Sequence, residues 1–121
     1  MRDNDMTSDV ISGWQDICSV TDIVLDGGIA VQVNGQPVAV FHTVDGFFAV
    51  SNRDPFSQRN VLWQGRVGEI RGKLVVAVPG SDRHFCLRTG ICLEDMTQAL
   101  STWPVTVRDG RLLVSRHARA A

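Results

Sequence analysis

Neither sign of charge prevails in this sequence. Twelve lysines and arginines stand against 13 aspartates and glutamates, for a net charge of −1. No electrostatic grip on nucleic acid or on anionic lipid is expected from such a balance. Long apolar runs are missing too. The longest, Leu74-Val75-Val76-Ala77-Val78, stops at Pro79, well short of the roughly 20 residues that a membrane-spanning helix needs. The first residues, Met1 to Asp9, are polar and acid-rich and do not read as a secretory signal. Cysteine is scarce, at positions 18, 86 and 92. An odd number at wide spacing is not a disulfide framework, and the expected compartment is a reducing cytoplasm.

Familiar catalytic patterns are also wanting. The glycine-containing motifs sit mostly at turns, and none forms a phosphate loop or a dinucleotide fingerprint opening a helix. No nucleophile motif surrounds a serine. His42, His84 and His117 stand apart from one another. Zinc and iron–sulfur sites favour tight cysteine pairs with further Cys or His ligands, and no such pair occurs. Cys86 and Cys92 flank Thr89-Gly90. Core packing is the first reading for both, with a redox role as the alternative.

What the chain does have is many short β-like runs separated by turn signals. Ile29–Val33 leads through Asn34-Gly35 to Pro37–Thr43. Asp45-Gly46 then leads to Phe47–Val50. Val67–Ile70, Arg71-Gly72 and Lys73–Val78 repeat the pattern, as do His84–Leu87 with Thr89-Gly90. Val105–Val107, Asp109-Gly110 and Arg111–Ser115 complete it. Paired residues tolerant of positive φ between such runs are hairpin signals. Val105 and Val107 alternate with polar neighbours, as in a half-buried strand. The best helical candidate is Glu94–Leu100. The 121 residues suit one core, so the prediction is an all-β domain of short antiparallel strands, a sandwich or partly open barrel. Residues 1–12 are expected to be disordered, 13–115 to form the domain, and 116–121 to be a flexible tail.

Two segments are more specific. Phe48-Ala49-Val50-Ser51-Asn52-Arg53-Asp54-Pro55-Phe56 is one. Val75-Val76-Ala77-Val78-Pro79-Gly80-Ser81, followed by Phe85-Cys86-Leu87-Arg88-Thr89-Gly90, is the other. They resemble the two cluster-binding loops of Rieske domains, which carry Cys-x-His and Cys-x-x-His. Laid on that pattern, the ligand positions fall on Asp54, Phe56, Val78 and Ser81. Phe56 and Val78 offer no donor, and Asp54 and Ser81 offer only hard oxygens, poorly suited to an iron–sulfide cluster. The resemblance implies a Rieske-like frame that has lost its [2Fe-2S] ligands.

Trp14-Gln15-Asp16-Ile17-Cys18, Ala49 to Phe56, Gly90-Ile91-Cys92-Leu93-Glu94-Asp95 and Trp103 to Gly110 together resemble the small-subunit family of assimilatory NAD(P)H-dependent nitrite reductases. That resemblance implies a non-catalytic chain that binds no cofactor itself. Its partner would be a large subunit carrying FAD, siroheme and a 4Fe-4S cluster, which reduces nitrite to ammonium. No catalytic position is carried over. A Rieske-type electron-transfer ferredoxin and a Rieske-like protein-binding module of other function stay open as alternatives. Phe56 and Val78 are expected to pack where a cluster would sit. In Pro55 to Trp63, two aromatics and an arginine are types enriched at interfaces. Phe56, Arg59 and Trp63 are therefore the candidate partner-binding residues, with Leu62 and Trp63 alternatively in the core. Trp14 and Trp103 are read as core.

Overall fold

The computed structural model describes residues 13–120. The segment 1–12, expected to be disordered, lies outside the described residues, as does Ala121. The strands are β1 (Trp14–Ser19), β2 (Gly28–Val33), β3 (Gln36–Thr43), β4 (Gly46–Ser51), β5 (Arg66–Ile70), β6 (Lys73–Ala77), β7 (His84–Cys86), β8 (Thr102–Trp103), β9 (Val105–Arg108) and β10 (Arg111–Ser115), with 3-10 turns at Val20–Asp22 and Leu62–Gln64. All pairings are antiparallel. They make three open sheets in the orders β9-β10-β1, β2-β3-β4-β8 and β5-β6-β7.

The four-stranded sheet lies between two cores. Successive side chains of a strand point to opposite faces. On β3, Val38 and Val40 enter the core shared with Leu112, Val114 and Trp103. Ala39 and Phe41 enter the other, shared with Leu62, Val76, Phe85 and Leu87. All four are fully buried, which is why this strand is continuously apolar rather than alternating. β2 has a wet face: Ile29, Val31 and Val33 pack inward while Ala30 and Gln32 are exposed. Asn34-Gly35, Arg71-Gly72 and Asp109-Gly110 all have positive φ at both residues, the geometry of type I′ hairpin turns that match strand twist.

Three local expectations are corrected. Glu94–Leu100 is a turn, not a helix. Asp95 Oδ1 accepts the Thr97 N–H at 3.1 Å, and Leu100 N–H donates to Gly90 O at 2.8 Å. Side-chain bonding to nearby backbone competes with helix, and seven residues are too few to nucleate one unaided. Val107 faces solvent at 49% exposure, so of the β9 valines only Val105 packs on the core. Trp14 is half-buried, unlike Trp103, which is core. Beyond β10, Arg116 N–H donates to Gly13 O and Arg119 N–H to Thr102 O.

Candidate functional site

Residues 52–64 form the first loop. Asn52, 4% exposed, anchors it: its Oδ1 accepts the Trp63 N–H at 2.9 Å and its carbonyl accepts the Leu62 N–H at 3.2 Å. Asp54 closes the loop on itself. Its carboxyl oxygens accept the N–H of Phe56 at 3.1 Å and of Ser57 at 3.4 Å. Its carbonyl accepts the Gln58 N–H and its N–H donates to Arg59 O. At 3% exposure, such a carboxyl needs these partners, because a buried polar group left unpaired costs about 1–3 kcal/mol.

Residues 78–83 form the second loop, tied in the same manner. Val78 N–H donates to Arg83 O, Ser81 N–H donates to Val78 O, and Ser81 Oγ accepts the Arg83 N–H at 3.1 Å. Val78 is 3% exposed and belongs to the core beneath both loops; Phe56 packs against that same core. The Phe56 ring meets Phe85 with centroids 6.4 Å apart. The Arg83 guanidinium lies over the same ring, 3.7 Å from the centroid. Phe56 of one loop thus contacts both a strand residue and an arginine of the other loop. Arg83 was not singled out in the sequence, and Phe85 was read only as part of the second loop's motif; the pairing of the two loops is what joins both to Phe56.

Residues 13–115 match the Rieske-like [2Fe-2S] domain family. The chain belongs to that family. Within it, the nitrite reductase (NADH) small subunit of Salmonella typhimurium is 37% identical over 83% of this chain and 94% of its own length. The solved nitrite reductase [NAD(P)H] small subunit of Erwinia carotovora superposes with a TM-score of 0.73 at 36% identity, over 86% of this chain and 82% of that one. A stretch of the nitrite reductase [NAD(P)H] large subunit of Klebsiella oxytoca, 11% of its length, is 33% identical to 84% of this chain.

A Rieske cluster takes two thiolates on one iron and two imidazoles on the other. The residues at the positions assigned by resemblance do not fit it. Phe56 and Val78 have no donor atom, while the oxygens of Asp54 and Ser81 are engaged by their own loops. Among the described residues, no three His, Cys, Asp or Glu side chains gather as a metal site. This Rieske-like domain closes its loops with hydrogen bonds and an apolar contact.

The remaining candidates separate. Leu62 is fully buried but Trp63 is 36% exposed, so the core reading holds for Leu62 and fails for Trp63. Arg59 is exposed and Phe56 half-buried. Cys86 and Cys92 are free thiols, both buried. Burial acts to raise the Cys86 pKa, but bonds from the Thr89 hydroxyl and backbone, with Lys73 nearby, bring it below the usual thiol value. Cys92 Sγ lies 3.7 Å from Glu94 Oε1. Glu94 Oε2 is 2.8 Å from His84 Nδ1, and Oε1 accepts the His84 N–H at 2.7 Å. Burial opposes the Glu94 carboxylate, yet the His84 bonds outweigh it and hold its pKa below the ordinary value.

Proposed function

We propose that this chain is the non-catalytic small subunit of an NAD(P)H-dependent nitrite reductase, serving a large subunit that holds the flavin, siroheme and iron–sulfur groups. The observation that carries the reading is the coincidence of two facts. The chain is 37% identical to a nitrite reductase small subunit over 83% of its length, and its loops offer no ligand set for a Rieske cluster. The Klebsiella oxytoca protein supports the partnership, since a similar stretch there is part of the large-subunit polypeptide itself. A Rieske ferredoxin would need ligands that Phe56 and Val78 cannot supply. The function is accordingly placed in the cytoplasm, where NAD(P)H is available, and in a heteromeric complex.

Arg59 and Trp63 present an arginine and a partly exposed indole from the first loop, and these types are enriched in interface hot spots. Phe56 contributes by holding the loop in shape, with Arg83 over its ring. The test is co-purification of the tagged chain with the large subunit, followed by nitrite reduction by NADH and NADPH with and without this chain. The expected outcome is a stable complex whose activity falls when the chain is withdrawn. Stoichiometric iron and acid-labile sulfide in the isolated chain would overturn the reading.

A further inference from the structure

A cleft of about 430 Å³ opens beside the β5–β6–β7 sheet, away from the Arg59–Trp63 segment in sequence and lined in part by Ile70, Lys73, Cys86, Ile91, Leu93 and Met96. Its walls are mainly aliphatic, and Met96 stands 75% exposed. A pocket for a small molecule encloses most of its ligand. A methionine standing free at the rim of an open cleft instead suits protein contact, where its flexible thioether adapts to the surface laid against it.

Charge gives the occupant's sign. Arg71 and Lys73, at the tip of the β5–β6 hairpin, line one side. The ion pairs among the described residues are His84–Glu94, Arg88–Asp45 and Arg111–Asp16, so neither cation of the cleft is paired there. The one carboxylate in the lining, Glu94, is occupied by His84 and Cys92. The cleft therefore presents apolar walls with two positive charges that no described carboxylate pairs.

We propose that this cleft receives a segment of the large subunit in which an apolar side chain is flanked by a carboxylate. The apolar group lies against Ile91, Leu93 and Met96, and the carboxylate meets Arg71 and Lys73. The inference rests on the small-subunit reading above and adds to it a contact face and the chemistry of what fills it. Lys73, exposed in the free chain, would be covered in the complex.

The experiment measures affinity of the full chain for the purified large subunit. Lys73→Glu combined with Met96→Asp is expected to weaken association by about tenfold or more. Lys73→Arg, and Arg108→Glu on the exposed part of β9, are expected to stay within about twofold. A second measurement needs no variant: acetylation of Lys73, the single lysine of the sequence and an exposed one, followed by peptide mass, is expected to slow about tenfold at saturating large subunit. Wild-type affinity in the folded double variant, an equal loss in Arg108→Glu, or unchanged Lys73 acetylation would overturn the inference while leaving the small-subunit reading intact. Failure of the wild-type chain to associate at all would overturn both.

Discussion

Phe56 occupies a position that the resemblance assigns to a histidine ligand, and its surroundings show what a side chain without a donor can do there. It touches Phe85, is covered by Arg83 and packs on the core that includes Val78. Because it is half-buried, Phe56→Ala is expected to cost about 1–3 kcal/mol, less than a fully enclosed phenylalanine. Arg83→Ala is expected to cost about 0.5–2 kcal/mol, the range of a cation–π contact at a part-buried site. If the two act as one clamp, the double variant will lose less than the sum in denaturant unfolding; strict additivity would show that they do not. Glu94 supplies a pH-dependent tie. Its folded pKa lies below the ordinary carboxylate value, so its contribution is present above the unfolded pKa and is lost as pH falls through the folded one. Below about pH 4.5, wild-type stability should fall more steeply than that of Glu94→Gln. Parallel slopes in urea titrations at several pH values would show that the His84 bonds carry no linkage.

At the level of elements, strands bounded by Asn-Gly, Arg-Gly and Asp-Gly turns could be read from the sequence, because the positive φ of each turn demands residues of recognisable type. β1 could not. Its pairing with β10 slips between Leu112 and Leu113, which face Cys18 and Asp16. The bulge leaves Ile17 without a partner in the register, and Ile17 and Cys18, adjacent in sequence, both pack on the same core. No period of two survives that arrangement. The two-residue β8 is equally illegible, being fixed by pairing with Ala49 and Val50. In the loops, the missing cluster donors were legible from side-chain chemistry. The clamp was not, because Arg83 and Phe56 are 27 positions apart. The 94–100 segment reads as a helix in the sequence but folds as a turn, because its path is set by tertiary contact. Gly90 has φ +81°, and a Cβ there would stand 2.1 Å from Leu100 O. Gly90→Ala should therefore displace the turn as well as strain the backbone, for a loss of about 2 kcal/mol or more. Hydrogen exchange should speed at the Leu100 and Cys92 amides, which donate to Gly90 O and Gln98 O. Unchanged protection would refute the assigned close approach.

The molecule as a whole is organised around a sheet whose strands β3 and β4 pack on a core at each face, and that arrangement bears on how it can do without a metal. In a cluster-bearing domain the metal ties two loops together; here the loops rest on a core whose opposite wall is the central sheet. Phe41 and Val40 are neighbours on β3, yet they serve different cores. If the sheet transmits stability between them, damage to either core must unfold both. Phe41→Ala is expected to cost about 3–5 kcal/mol and Val40→Ala about 2 kcal/mol, each within one cooperative transition. A chain with Trp14 and Trp63 replaced by phenylalanine leaves Trp103 as reporter of the core distant from the loops. Its fluorescence and the far-ultraviolet circular dichroism should lose their native signals at the same urea concentration in both variants. If the Trp103 signal outlasts the rest in Phe41→Ala, the loop-bearing half melts separately, and the rigidity of the surfaces proposed to face the partner must come from the complex rather than from the central sheet.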